Sequence, residues 1–174
     1  MSQAPEALLF VAPGCPHCSM VLQGLSDLVK TGEIGRLEVI NVAIQPEKAA
    51  ELGVRSAPWT RIGPYILEGA QTPGALKEWA KKAANEEGGS DYLRELLGSG
   101  KLPEAETYLE ADARRLPETL DLVGDPEAPM QVRVGANALL ESLAGSDELN
   151  FLVPRIGELS RHADHRIRSD ACHL

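Results

Sequence analysis

Apolar residues near the start of the chain recur with two spacings, and each spacing predicts one kind of element. The continuous apolar run at residues 8–11 is typical of a buried parallel strand, and residues 12–14 interrupt it with Pro and Gly. Helical spacing follows as far as Gly32, carried by Val21, Leu22, Leu25, Leu28 and Val29. The β-branched residues at positions 37–42 then predict a second strand.

The segment that follows alternates between short helical and strand-like patterns. Residues 46–52 fit a short helix, and residues 59–62 and 65–68 fit two strands joined by a Gly-Pro turn, which predicts a hairpin. Thr72 followed by Pro73 is a typical helix start, and the buried stripe of that helix is supplied by Leu76, Trp79, Ala80 and Ala83. The predicted order is β-α-β-α-β-β-α, an α/β domain.

A polar, glycine-rich segment at residues 85–90 marks a change of pattern, because strand-like runs cease after it and helical spacing continues. We therefore predict a first domain at residues 1–85, a linker at 86–90 and an all-α domain at 91–174. Two similar units recur in that domain at a separation of 35 to 37 residues, within the range of helical-hairpin repeats. Their matching positions are Leu116-Pro117 with Val132-Arg133, and Leu152-Val153-Pro154 with Ile167-Arg168.

The charge balance narrows the classes of partner. The chain of 174 residues has a net charge of −9, and no cluster of Lys and Arg interrupts this acidity, so nucleic acid and anionic membranes are unfavourable partners. Residues 1–6 have no basic region, and the apolar run after them is too short for a signal peptide or a membrane helix. We therefore expect a cytoplasmic protein.

The sequence Cys15-Pro16-His17-Cys18 lies where the first predicted strand gives way to the first predicted helix. There the unpaired N–H groups and the macrodipole of a helix N-terminus favour a thiolate over a thiol at Cys15. A protonated His17 adds positive charge, and the fixed φ of Pro16 suits a first helical turn. The pattern favours redox chemistry over half of a zinc site, because no second cysteine pair follows.

This motif and the element order resemble the thioredoxin superfamily. The resemblance implies that Cys15 is the exposed nucleophile, that Cys18 resolves the mixed disulfide, that the pair forms a redox-active disulfide without another cofactor, and that His17 tunes the thiolate. It also implies that Pro58, in Ser56-Ala57-Pro58-Trp59, is a cis-proline that faces the sulfurs.

Two residues depart from the pattern of that superfamily. Leu9 occupies the position six residues before the first cysteine, where thioredoxins tend to have a buried acid that serves the second cysteine. Gly14 stands where thioredoxins usually have a tryptophan, which opens the approach to Cys15. The proton chemistry of Cys18 must therefore differ from that of thioredoxin.

The second half resembles HEAT repeats, with a proline in the first helix of each unit and the Val-Arg-x-x-Ala pattern in the second. The resemblance leaves the last repeat either truncated or closed by a short helix. The stretch at residues 91–127 carries ten Asp or Glu and four Lys or Arg. It predicts a solvated helical surface, or an acidic face that docks a basic protein partner.

Four further side chains near the C-terminus are candidate metal ligands: His162, His165, Cys172 and His173. Exposure at the chain end explains the histidines better than metal binding does. Cys172 falls in the stripe of residues 167–174, which predicts a small packed residue rather than a third redox thiol.

Two hypotheses about function follow. The first is a protein-disulfide oxidoreductase that acts on the disulfides or thiols of protein substrates and whose helical repeats bind the partner. The alternative is an adaptor in which the HEAT-like surface is the main function and the thioredoxin-like domain gates binding by its redox state.

Overall fold

The computed structural model describes residues 4–143 and 147–174; residues 1–3, part of the N-terminal segment considered above, lie outside the described residues. The chain divides into two compact units, Met1–Gly88 and Gly89–Leu174. The first unit is an α/β fold, and the elements of the second are helical. Both classes are those that the hydrophobic patterns predict.

A mixed four-stranded sheet forms the centre of the first unit, in the order β2-β1-β3-β4. Its strands are β1 (Glu6–Val11), β2 (Arg36–Asn41), β3 (Trp59–Ile62) and β4 (Tyr65–Glu68). β1 and β2 run parallel, whereas β3 is antiparallel to both β1 and β4. A parallel pair needs a crossover connection, which helix α1 (Cys18–Thr31) supplies.

Helices α1, α2 (Pro46–Glu51) and α3 (Pro73–Ala84) cover the two faces of this sheet. On one face, Phe10 and Trp59 form a cluster with Ala49 of α2. Successive residues of a strand point to opposite faces, so the cross-strand pair Leu9 and Thr60 lies on the face that α1 and α3 cover. α1 and α3 pack closely there, since a Cβ on Gly24 would lie 2.9 Å from Cδ1 of Leu76.

The start of α1 differs from the sequence prediction. The pattern placed Pro16 in the first helical turn, but the helix begins at Cys18, and its first backbone bond runs from Val21 N to His17 O at 3.2 Å. Pro16 therefore precedes the helix, because the disulfide between Cys15 and Cys18 closes a separate tight turn. The bounds of β3 and β4 are those predicted, and the N-cap of α3 is Thr72, whose hydroxyl accepts from Ala75 N.

The second unit consists of six α-helices and two 3₁₀ segments within its described residues. The helices are α4 (Gly89–Gly98), α5 (Leu102–Glu110), α6 (Leu116–Val123), α7 (Met130–Ser142), α8 (Val153–Leu159) and α9 (His165–His173). The 3₁₀ segments Ala113–Arg115 and Asp147–Leu152 lead into α6 and α8. No helix in the described part of the chain combines the length and the apolarity that crossing a membrane requires.

Helix pairs account for the packing of the second unit. α4 packs against α5, α6 and α7, while α6 packs against α7 and α8 against α9. Arg133 of α7 and Asp170 of α9 form an ion pair, with 3.2 Å between Nε and Oδ2. α4 begins at Gly89, within the residues 86–90 that the sequence pattern assigned to a linker.

Cys172 corrects one sequence prediction. It is a free, exposed cysteine rather than a packed residue. The buried side of α9 is formed by Ile167 and Ala171, and Cys172 lies one position further, about 100° around the helix.

Candidate active site

The two sulfurs of Cys15 and Cys18 lie at the sheet edge where three loops meet. The parallel strands β1 and β2 end together there, since Val11 is the register partner of Asn41. β3 runs antiparallel and begins at the same edge, because Trp59 pairs with Phe10. The loop after β1, the loop after β2 and the loop before β3 therefore surround one surface, with Cys15 in the first of them.

Cys15 and Cys18 form a disulfide with 5.5 Å between their Cα atoms. The backbone N–H of Cys18, the first residue of α1, donates to Sγ of Cys15 at 3.2 Å. Cys15 is partly exposed, whereas Cys18 is buried, with 6% of its surface accessible. The two sulfurs are thus unequal: an incoming molecule can reach Cys15, while the fold shields Cys18.

The other predicted site residues lie in the turn between the cysteines and in the loop before β3. Pro16 and His17 are exposed in the turn between the cysteines, and His17 is the N-cap residue of α1 without a side-chain capping bond. The Ala57–Pro58 bond is cis, Pro58 is buried, and its carbonyl accepts from Gly69 N at 2.9 Å. Gly14 has φ +73°, and a Cβ there would meet no atom within 4 Å, so this approach to the disulfide is open.

The loops at this edge carry little negative charge, although the chain as a whole is acidic. Across residues 12–20, 42–47, 55–58 and 69–72, the ionisable side chains are His17, Glu47 and Arg55. Two large apolar side chains are exposed instead, Ile44 at 75% and Met20 at 42%. A side chain as apolar as Ile44 gains free energy when an apolar partner covers it.

Leu9, which stands where the thioredoxin pattern has a buried acid, lies on β1 beside Thr60 of β3. Leu9 and Thr60 are direct register partners, and neither has accessible surface. Oγ1 of Thr60 has no hydrogen-bond partner among the residues that the structure describes. Sequence reasoning found Leu9 but missed Thr60, whose signal was a single hydroxyl at an inward position of an otherwise apolar strand.

The candidates near the C-terminus do not converge on a site. His162 accepts at Nδ1 from the backbone N–H of Asp164, 3.0 Å away, and His165 and Cys172 are exposed. Within residues 4–143 and 147–174, no three His, Cys, Asp or Glu side chains are arranged to hold a metal ion.

Much of the acidic stretch at residues 91–127 is paired rather than free. Asp125 accepts from Arg94 at 2.5 Å, and Arg155 pairs with Asp121. Hydrogen bonds from Arg114 lower the pKa of Asp112 to about 2. Ion pairs and hydrogen bonds thus neutralise part of this acidic surface.

Glu118 differs from Asp112, because the pKa of its carboxyl is raised rather than lowered. It is partly buried, and this burial raises the pKa of its carboxyl above the ordinary value, although the hydroxyl of Tyr108 donates to Oε2 at 3.1 Å. Glu118 therefore binds its proton more tightly in the folded protein than an exposed glutamate would.

A cavity of about 430 Å³ lies beside α5 and α7 in the second unit. Its floor includes the buried side chains of Leu109, Leu116 and Leu139, and its rim includes Glu106 and Glu110. Neither of these two glutamates has an ion-pair partner among the residues that the structure describes.

A mixed sheet of this order, with a Cys-x-x-Cys disulfide at the start of the first helix, defines a thioredoxin-like fold. A thioredoxin from Methanocaldococcus jannaschii is 36% identical to this chain over 76 residues, which are 42% of the chain and 89% of that thioredoxin. The chain belongs to the thioredoxin family, through the N-terminal domain that carries the disulfide. No protein-family model matches the chain. The relative and the close cysteine pair together indicate a thiol–disulfide redox function.

Proposed function

We propose that the protein is a dithiol–disulfide oxidoreductase that acts on protein disulfides. The observation that supports this most strongly is the inequality of the two sulfurs. Cys15 is reachable and receives the N–H of Cys18, while Cys18 is buried. One sulfur can therefore meet the substrate, and the other can act only on a species already attached to Cys15.

The reaction has two exchange steps. The Cys15 thiolate attacks one sulfur of the substrate disulfide, which forms a mixed disulfide and releases the first substrate thiolate. Cys18 then attacks Sγ of Cys15, which re-forms the bond between Cys15 and Cys18 and releases the second substrate thiolate. The dithiol loses two electrons and the substrate disulfide gains them. The reverse sequence oxidises a substrate dithiol.

A polypeptide substrate is favoured by the surface around Cys15. Ile44, on the loop after β2, and Met20, in the first turn of α1, are exposed apolar side chains at the same edge, and the open position of Gly14 lets a chain approach. A small disulfide reagent would need neither contact, whereas a protein segment that covers Ile44 gains from burial of its apolar surface.

Catalysed reduction of insulin by a regenerating dithiol tests this proposal. We expect turnover for the wild type, loss of turnover for Cys15→Ser and unchanged turnover for Cys172→Ser, because Cys172 is free and lies in the second unit. The proposal fails if the wild type adds nothing to the uncatalysed rate, or if Cys15→Ser retains the full rate.

For the second unit we propose HEAT-like repeats that bind a basic protein partner. The support is the repeated pattern of proline-started helices, in α6 and α8, together with the cavity of unpaired Glu106 and Glu110 above an apolar floor. A lysine or arginine side chain suits this cavity, because its stem is apolar and its end is cationic.

We place both activities in the cytoplasm, since three cysteines do not form the framework of a disulfide-rich secreted protein.

The same cavity is the basis of the second candidate function, a redox-gated adaptor in which this binding surface is the main function. Binding of an oligolysine peptide to the oxidised and the reduced protein separates the two. An adaptor binds it with different affinities in the two states, and Glu106→Gln with Glu110→Gln abolishes that binding, whereas Glu158→Gln, an exposed acid outside the cavity, does not. Equal affinity in both states rules out redox gating, and absence of binding removes the basic partner from the proposal.

A further inference from the structure

We propose that the hydroxyl of Thr60 is the hydrogen-bond donor for the Cys18 sulfur once the disulfide is reduced. The inference rests on the proposed exchange reaction and assigns a positioning residue to its second step. It follows from the burial of Thr60, from its place in the sheet and from its Oγ1, for which residues 4–143 and 147–174 provide no hydrogen-bond partner.

The placement comes from the strand register. β3 begins at Trp59, at the sheet edge that carries the disulfide, and Trp59 points into the cluster on the α2 face. Thr60 is therefore the first residue of β3, counted from that edge, on the face that α1 covers. Cys18 is the first residue of α1. Cys18 and Thr60 thus lie near the starts of their elements, at the same edge of the sheet.

The unpartnered hydroxyl calls for an explanation. Thr60 is the one polar residue in the buried class within residues 4–88, and its exposed fraction is 0%. A buried hydroxyl without a partner costs free energy that a valine of nearly the same shape would not. Its register partner Leu9 is fully buried and apolar, so that side chain offers the hydroxyl no hydrogen bond.

Reduction of the disulfide creates a need for a hydrogen-bond donor at the Cys18 sulfur. In the disulfide, the Cys18 sulfur is neutral and needs no donor. After reduction, a thiolate must form at a position with 6% accessible surface, where water cannot solvate it and Leu9 supplies no charge. A hydroxyl donor lowers the cost of that thiolate.

In the second exchange step, Sγ of Cys15 exchanges its bond to the substrate sulfur for a bond to the Cys18 sulfur. The Cys18 thiolate attacks Sγ of Cys15 in the mixed disulfide, the bond between Cys15 and the substrate sulfur breaks, and the substrate leaves as a thiolate. The proton released by Cys18 is taken up by that departing thiolate through solvent. Thr60 donates a hydrogen bond throughout and keeps its own proton.

The test uses the reduced full-length protein with Cys172→Ser, which removes the free and exposed third thiol, and dithiobis-nitrobenzoate, which reports both steps. Attack by Cys15 releases the first coloured thiolate, and attack by Cys18 releases the second, so the two rates are measured separately against pH. Thr60→Val keeps the volume and removes the hydroxyl, whereas Thr60→Ser keeps the hydroxyl and removes a methyl group. Thermal unfolding checks that both variants fold, and the isosteric valine is expected to unfold no earlier than the wild type.

We expect the second release to slow by about threefold to tenfold in Thr60→Val at neutral pH, with its pH midpoint moved upward, while the first release is unchanged. Thr60→Ser should keep the wild-type pH profile. The inference is overturned if Thr60→Val matches the wild type, or if Thr60→Ser behaves like Thr60→Val, which would make volume the cause. If the Cys172→Ser protein with Thr60 intact releases no second thiolate, the proposed function itself is refuted.

Discussion

The backbone N–H of Cys18 donates to Sγ of Cys15, with 3.2 Å between the nitrogen and the sulfur. This donor belongs to the backbone, so it remains available whatever side chain position 18 carries. It sits at the first residue of α1, where the helix dipole adds to its effect. Negative charge on Cys15 is therefore favoured by the fold itself.

The reduced Cys15 thiol should accordingly titrate well below the free-thiol pKa of about 8.5. Cys18→Ser combined with Cys172→Ser leaves Cys15 as the single thiol and keeps the donor N–H, so thiolate absorbance against pH reports Cys15 alone. A midpoint at or above the free-thiol value would contradict the assignment of Cys15 as the nucleophile.

His17 should make the disulfide more oxidising, because a protonated imidazole next to Cys15 stabilises the reduced form. Its side chain is exposed and makes no capping bond, so His17→Ala leaves the helix start intact. Solvent screening limits the effect, and we expect the reduction potential of the disulfide to fall measurably in His17→Ala, but by no more than about 30 mV. Equilibration with a dithiol buffer measures it; an unchanged or higher potential would remove His17 from the site.

Ile44 should matter for protein substrates alone. Ile44→Ser is expected to raise the KM for insulin by about threefold to tenfold, since an apolar contact is lost, and to leave the reaction with dithiobis-nitrobenzoate unchanged. Val39→Ser is the matched control, because Val39 is also exposed, at 43%, but lies within β2 rather than on the loops around Cys15. Equal effects of the two variants would show that Ile44 has no particular role in docking.

Glu118 should give the second unit a pH-dependent stability. Burial raises the pKa of Glu118 above 4.5 in the folded protein, so the folded state binds the proton more tightly than the unfolded chain. The free energy of unfolding therefore increases as the pH falls from neutral through the folded pKa towards the unfolded value, and this contribution is absent above the folded pKa.

The measurement is urea unfolding of the full chain between about pH 7 and about pH 5, a window above the range in which Asp112 titrates. Both tryptophans, Trp59 and Trp79, lie in the first unit, so their fluorescence follows that unit while circular dichroism adds the helices of the second. Glu118→Gln should abolish the increase and the exposed Glu158→Gln should not. An increase that persists in Glu118→Gln would assign it to another group.

The elements of the first unit could be predicted well from the sequence, because their signals are local. Residues 59–62 and 65–68 carry strand patterns bounded by a Gly-Pro turn, and the observed strands have those bounds. The start of α1 could not be predicted as well. Pro16 is compatible with a first helical turn, but the covalent bond between Cys15 and Cys18 decides the geometry of that turn.

Features that depend on tertiary contacts could not be predicted from the sequence. Nothing in the pattern of β3 indicates that Thr60 pairs with Leu9, since register is set between strands. The acidic stretch gave no sign that Glu118 would be partly buried under Tyr108 while Asp125 pairs with Arg94. Charge composition predicts average exposure, whereas the individual partners come from packing.

The reduction potential of the Cys15–Cys18 pair tests the central claim, that this disulfide is redox-active rather than structural. Equilibrating the full-length protein in a series of thiol–disulfide buffers should give one reversible two-electron transition, present in Cys172→Ser and absent in Cys15→Ser, at a potential above the value of about −270 mV typical of thioredoxin. A disulfide that stays oxidised below about −300 mV would be a structural bridge and would contradict the account.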